Sequence, residues 1–470
     1  MITSAPASSS SCSRRPPAEE TFRVRRIIRT TRDRRGRRPT RLLLLLGAVA
    51  ILPAGAQQGE EPAIEGVITG TAPSRVALAV PPVVARSGVP ATWAAEIDRV
   101  FRNDLEFSGW FGLLDPRGEG RIAAADADRP QAWHAVGAAY LALASVEPSA
   151  DRLLLRVRLH ETSGGAVLMD RTWGGRAPDD LRRMAHVASD AVVESLTGRP
   201  GIATTRIAFV SRSGPRAKEV FLMDYDGARV RRLTTTGTIN LSPAWSPDAR
   251  RLAFLSFLGD KPSIYLLDET GKVVTLRPAG GELNAAPDFS PDGNTLAFSS
   301  DRDGNSEIYL YDLASNRERR LTRHPAIDTA PCWSPTGREI AFTSDRTGSP
   351  QIWIMSADGT NPRRLTWEGR YNESAAWSPE GGRIAFVSRI RGRFEIVIKD
   401  LASGRETIIT RGPGNKENPR WAPDGRHLVF SANPDGRYAI YVIGDDGRGL
   451  RRLTRGAEAF TPDWSPIRVR

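Results

Sequence analysis

The sequence predicts a mainly β fold, a six-bladed β-propeller whose C-terminal strand closes the first blade, preceded by a small α/β domain. Three observations predict it. A four-residue phrase recurs six times in the second half of the chain, the intervals between copies read as short β-runs broken by glycine turns, and the stretch ahead of them lacks the repeat.

The phrase runs Ala244-Trp245-Ser246-Pro247, Asp288-Phe289-Ser290-Pro291, Cys332-Trp333-Ser334-Pro335, Ala376-Trp377-Ser378-Pro379, Arg420-Trp421-Ala422-Pro423 and Asp463-Trp464-Ser465-Pro466. Its prolines step by 44 residues four times and then by 43. A period in the forties belongs to propellers or helical arrays. Runs such as Leu296-Ala297-Phe298-Ser299 and Glu307-Ile308-Tyr309-Leu310-Tyr311 have strand composition, which leaves the propeller, with four strands to each blade.

The turns follow from residue chemistry. Each phrase leads into a turn such as Pro291-Asp292-Gly293, where proline presets φ and glycine takes the left-handed position; Ala249 breaks that pattern in one copy. A second left-handed position recurs at Gly227, Gly271, Asn316, Gly359, Gly404 and Gly447, and asparagine is the residue that best tolerates it after glycine. The aromatic of each phrase is read as an anchor between blades. Burying ~200 Å² at ~25 cal/mol/Å² gives each about 5 kcal/mol of gross stabilisation as an upper value. The leucines of Arg232-Leu233-Thr234 and its copies are expected to pack against the next blade. The first unit, from Arg206, lacks an anchor, and the last anchor, Trp464, lacks a following unit. The two halves make one blade and remove an exposed sheet edge.

The boundaries expected are a signal peptide with a long basic leader over residues 1–56, a flexible segment over 57–72, the α/β domain over 73–200 and the propeller over 201–470. Of the net charge of +12, residues 1–41 carry +9, with twelve arginines against three acids, and the remainder is close to neutral. A phosphate-binding groove would keep its charge in the folded part, so nucleic acid is not an expected partner. Leu42 to Leu52 is apolar, is too short to cross a bilayer, and ends at Pro53-Ala54-Gly55-Ala56. Cleavage after Ala56, release into the periplasm and no direct membrane insertion are the expectations. Arg37-Arg38 leaves both the general secretory and the twin-arginine route open. Cys12 falls in the leader, so Cys332 has no disulfide partner in the mature chain and is read as a small buried hydrophobe.

In the α/β region, strands are expected over Arg75–Val80, Leu141–Leu143, Leu153–Val157 and Ala166–Met169. Helices are expected over Ala91–Glu106, with Trp93, Ile97, Val100, Phe101 and Leu105 on one face, and over Asp179–Leu196.

Leu196-Thr197-Gly198 closing that helix, Arg206-Ile207-Ala208-Phe209-Val210 opening the propeller, Tyr225-Asp226-Gly227 and the repeated Trp-Ser-Pro phrase resemble the TolB family of the Tol-Pal envelope system, from about Pro62 to Pro466. The resemblance implies a periplasmic protein-binding component with two partners. One is Pal, the peptidoglycan-associated lipoprotein, at the propeller; the other is a TolA-like inner-membrane protein at the mature N-terminus. It also implies that Pal meets the loops leading into the innermost strands, here Asn240, Leu283, Asn284, Ala286, Asp328, Thr329, Asn372 and Glu373. Asn240, Asn284 and Asn372 stand five residues ahead of their anchors, so ring geometry gathers them at one mouth, or they bond their own turns. Two features depart from the family: Leu283 stands where well-known members have histidine, and Lys416 and Ala459 occupy the asparagine position in the last two copies.

The sequence shows no catalytic, metal or cofactor signal. There is no G-x-S-x-G elbow and no hydrolase domain after the propeller, and His134, His160, His186, His324 and His427 show no pair at metal spacing. Asp301-Arg302-Asp303-Gly304-Asn305 begins like a calcium loop but lacks its distal glutamate, and reads as a hairpin turn. The expectation is a binding protein and not an enzyme. The alternative is an exported propeller lyase or hydrolase using channel carboxylates, for which Asp288 and Asp463 are the only acids beside an anchor.

Overall fold

The structure is a computed structural model, and it describes residues 65–66, 75–114, 122, 126–259, 261–268, 271–276 and 281–468. The expected signal peptide lies outside these residues. Within the segment expected to be flexible, Glu65–Gly66 form a short strand antiparallel to Thr410–Arg411, with Glu65 opposite Arg411. That edge of the propeller presents unpaired backbone groups, which an extended segment can satisfy.

In the α/β domain one sheet runs in the order Phe111–Leu114, Val76–Ala79, Tyr140–Ser149, Arg152–Glu161, Val167–Gly175, with Val84–Ala85 also pairing with Tyr140–Ser149. Helices α1 (Ala91–Phe107) and α3 (Leu181–Thr197) cover it; α2 (Pro130–Ala135) is a short connector. Ile97, Val100, Phe101 and Leu105 recur at helical spacing and share a core cluster with Met184, Ala188 and Val192 of α3 and with Leu155 and Val157 of the sheet. Gly198, at φ 69°, caps α3 in the left-handed conformation. Three elements were not foreseen: α2 spans too few residues to show a period, and Val84–Ala85 and Phe111–Leu114 pair in parallel with strands that no hairpin signal connects to them.

The propeller has six four-stranded blades, each an antiparallel meander. From the channel outwards, blade two is Asn240–Trp245, Arg251–Ser256, Ser263–Asp268 and Val273–Thr275. Blades three to six repeat the order from innermost strands Asn284–Phe289, Asp328–Trp333, Asn372–Trp377 and Lys416–Trp421. Blade one is Arg206–Arg212, Lys218–Asp224 and Arg231–Arg232, completed on the channel side by Ala459–Trp464, with Trp464 opposite Ile207. The ring is closed as the partial units require.

The anchors fill the seams. Trp421 clusters with Ile396 and Ile398 of blade five, and Trp464 with Val429 and Ile440 of blade six. Trp245 and Trp333 are only half-buried, whereas the other four anchors are buried. Leu321 packs with Ile340 and Phe342 of the next blade. The recurring turn position is left-handed throughout, including Asn316 at φ 55°, and Ala249 adopts φ 54° where its equivalents are glycine.

A meander of this kind sends the loops between blades, together with the loops between second and third strands, to one face. The turns after the innermost and third strands go to the other. The α/β domain sits on the turn face. Phe107 of α1 packs edge-on against Tyr225 and stacks on His427, at 5.0 and 4.6 Å between ring centroids. Asp104 of α1 accepts hydrogen bonds from Tyr225 Oη (2.6 Å), Ser189 Oγ (2.6 Å) and His186 Nδ1 (2.8 Å). Arg182 of α3 pairs with Asp226 in the same turn as Tyr225.

Candidate partner-binding mouth

Every innermost strand begins with a residue whose side chain is buried, and in three seams that residue ties its blade to the one before. Asn240 Nδ2 donates to Lys218 O (2.8 Å), Glu219 Oε2 (2.9 Å) and Thr236 Oγ1 (2.7 Å). Asn372 Nδ2 donates to Gln351 Oε1 (2.9 Å) and Glu368 O (2.7 Å), and Lys416 Nζ to Glu395 Oε1 (3.1 Å) and Gly412 O (2.8 Å). Glu219, Gln351 and Glu395 also accept from Thr234, Thr366 and Thr410, which follow the fourth strands of their own blades, so one buried acceptor joins the third strand, the segment after the fourth and the next innermost strand.

The other copies turn elsewhere for a physical reason. Opposite Asp328 the preceding blade offers Glu307, a like charge, and Asp328 instead accepts from Arg346 Nη2 of its own blade at 2.7 Å. Burial raises the Asp328 carboxyl above its usual range against the lowering effect of Ser344 and Arg346. In blade two the position of Glu219, Gln351 and Glu395 is the short Ser263, and Asn284 Oδ1 accepts from Arg302 Nη2 at 3.3 Å.

The eight residues inferred from sequence are therefore divided. The structure gathers them at one mouth, on the face away from the α/β domain, but the side chains of Asn240, Asn284, Asp328 and Asn372 are buried in or beside the seams. Leu283, Ala286, Thr329 and Glu373 keep partial exposure. Ala286 is in the left-handed region at φ 51°, as are Ser242, Ala330, Ser374, Asn418 and Thr461 at the same position of the other innermost strands. Each marks a β-bulge that breaks the register between the strand's first pair and its anchor.

The residue just before each bulge, Leu241, Ala285, Thr329, Glu373, Glu417 or Phe460, is half-exposed in all six copies. Leu241, Glu417 and Phe460 were missed in the sequence, although their fixed offset of four residues ahead of the anchor was available. Tyr371 Oη donates to Glu373 at 2.9 Å and Tyr438 Oη to Glu417 at 2.7 Å, and burial raises both carboxyls. The mouth is thus acidic at blades five and six and apolar at blades one to three. Trp367, in the loop before blade five, is 70% exposed, with Arg364 4.6 Å from its ring centroid.

Deeper in the channel, Asp463 Oδ2 accepts from Trp245 N (2.7 Å), Asp288 Oδ2 from Trp333 N (2.8 Å) and Cys332 Sγ from Trp377 N (3.3 Å). Arg420 Nε lies 3.5 Å from Asp463. Burial pushes the Asp288 carboxyl up to about 6, that of Asp463 up to about 7 and the Cys332 thiol up to about 12. A thiol in that state is the inert, packed kind. Among the described residues, His186, Asp224 and Asp226 are the one set that brings three metal-ligating atoms within 4.8 Å of one another, and Arg182 lies among them as the ion-pair partner of Asp226.

These features define a class: a two-domain propeller protein whose α/β domain covers one face and whose open mouth is lined by bulged innermost strands. Residues 65–168 match the TolB amino-terminal domain and residues 193–468 the TolB beta propeller domain. The chain belongs to the TolB family. The crystal structure of TolB from Acinetobacter baumannii is similar to it with a TM-score of 0.74 at 29% identity, covering 86% of this chain and 100% of that one. The Tol-Pal system protein TolB of Cereibacter sphaeroides (strain ATCC 17025) is 38% identical over 232 residues, 47% of this chain and 50% of that protein. The TolB homolog of Chlorobium luteolum is 34% identical over 229 residues, 47% and 51% of the two chains. The chain spans about half the length of the curated relatives it matches. Among the described residues no helix is long and apolar enough to cross a membrane.

Proposed function

We propose that this chain is a periplasmic, non-enzymatic protein-binding component of a Tol-Pal envelope system, with a Pal-type lipoprotein at the open mouth and a TolA-type protein at the segment before Glu65. The observation that carries the reading is the placement of the α/β domain on the turn face, which leaves the mouth with Leu283, Thr329, Glu373 and Glu417 accessible. The relatives are Tol-Pal system proteins, and the likeness to them suggests the system. Asp288 and Asp463, the carboxylates an enzyme would recruit, each accept a main-chain N–H from the next blade, which favours a clamp over an acid–base role.

Calorimetric titration of the mature protein against the Pal homologue of the same organism tests this. Thr329→Arg and Glu417→Arg place bulk and charge at separate points of the mouth, and each is expected to weaken binding about 30-fold or more, read at a temperature where the variant is folded because Thr329 also bonds Ser299 and Glu417 accepts from Tyr438. Asp358→Arg, in an exposed turn on the opposite face, is the control and is expected to bind as the parent does. Equal affinity for all three would overturn the placement of the partner. No binding by the parent would overturn the Pal assignment.

A further inference from the structure

We propose that the cleft between the α/β domain and blade six binds a small oxyanion carrying two or more negative charges, a phosphate ester or a polycarboxylate. The cleft encloses a cavity of about 220 Å³, bounded by the end of α1 and Arg75 on one side and by the turns of blade six on the other. Drug-sized ligands occupy about 300–1,000 Å³, so this volume suits a compact ion.

Four arginines line it: Arg75, Arg426, Arg448 and Arg451. The Arg426 guanidinium lies 3.8 Å from the Trp110 ring centroid, and its Nη1 is buried and makes no hydrogen bond within the protein. A buried donor without an acceptor is destabilising, the more so when it is charged, so an oxygen placed there is favoured. Arg451 is pinned, with Nη1 donating to Asn103 Oδ1 at 2.8 Å and its guanidinium 5.1 Å from the Phe107 ring centroid. The acids in the lining offset only part of this charge. Asp445 is turned to Arg383 of blade five, while Asp446 accepts the backbone N–H of Arg448 at 2.9 Å and stands 3.7 Å from the Arg448 guanidinium, so Arg75 and Arg426 carry the charge offered to a ligand. Glu106 is mostly exposed and stands 4.0 Å from Arg451.

Planar guanidinium forks fixed by aromatic faces match the paired oxygens of phosphate and carboxylate, and neutral ligands gain nothing comparable from them. A bound anion would touch α1 and blade six together. It would therefore stiffen the docking of the two domains as well as occupy a site.

The test is isothermal titration of the mature chain, in a low-salt buffer without oxyanions, with inorganic phosphate, pyrophosphate and citrate in turn. Binding to at least one is expected, with a raised thermal midpoint, and pyrophosphate or citrate as the tighter ligand identifies the phosphate or carboxylate source. Arg426→Gln and the exposed Arg75→Gln are each expected to weaken it about 10-fold or more, and Arg426→Lys, which keeps charge without the fork, to weaken it less. Because Arg75 is exposed, its variant reports on the site even if Arg426→Gln unfolds. No binding of any of the three at about 10 mM, or unchanged affinity in folded Arg426→Gln or Arg75→Gln, would overturn the proposal.

Discussion

Asp463, on the strand that closes the ring, accepts a hydrogen bond at 2.7 Å from the backbone N–H of Trp245, the anchor of the next blade. The same bond joins Asp288 to Trp333 and, through sulfur, Cys332 to Trp377. The residue before an anchor therefore secures the following anchor wherever it can accept.

That clamp has a pH signature. Burial raises the Asp463 carboxyl to about 7 from an ordinary 3.8, and Asp288 to about 6. Between the ordinary and the raised values the folded chain binds protons that the unfolded chain has released, so stability falls as pH rises through that window. Each unit of displacement is worth about 1.4 kcal/mol. Asp463→Asn keeps an acceptor without the titration, and its unfolding free energy is expected to vary less than the parent's between about pH 4 and pH 7. Superimposable profiles in denaturant melts would count against the clamp's ionisation.

His186 adds a second dependence at the domain junction. Burial by itself would lower its basicity, but the hydrogen bond and charge of Asp104 outweigh that and raise it above 6.5. The imidazolium contributes its full stability below that ordinary value and loses it as pH rises through the folded one. His186→Asn, which retains a donor near Asp104 but no charge, is expected to cost about 1–3 kcal/mol at pH 6 and less at pH 9. A cost that does not shrink with pH, measured by urea unfolding, would show a purely steric role.

Ala249 is the strained member of its turn family. At φ 54° its Cβ crowds the backbone, where Gly293, Gly337, Gly381 and Gly425 have none. Ala249→Gly is expected to raise stability by up to about 1 kcal/mol, the relief of strain exceeding the added chain entropy. A lower thermal midpoint would reverse that ordering.

Removal of residues 460–470 deletes the innermost strand of blade one and with it Trp464, whose Nε1 donates to Thr205 Oγ1 at 2.8 Å. The truncated chain is expected to melt earlier and to associate through the exposed edge of Arg206–Arg212. Size-exclusion chromatography reads the association, and an unchanged monomer with an unchanged melt would contradict ring closure as a source of stability.

The blade count, the closing strand and nearly all the left-handed turn positions were legible in the residues. Each depends on local chemistry repeated at a constant spacing: Pro-Asp-Gly turns, an anchor aromatic, a glycine or Asn316. The accessible ring at the mouth was not legible. Asn240 and Asn372 look like exposed amides in the sequence. Their buried acceptors, Glu219 and Gln351, lie 21 residues earlier on a neighbouring blade. Asp328 avoids the equivalent acceptor because that acceptor is also an acid. Docking of the α/β domain likewise rests on Asp104 meeting Tyr225, 121 residues apart. A repeat specifies what each unit builds by itself, whereas the direction a side chain takes at a seam depends on which donor or acceptor the adjoining blade presents.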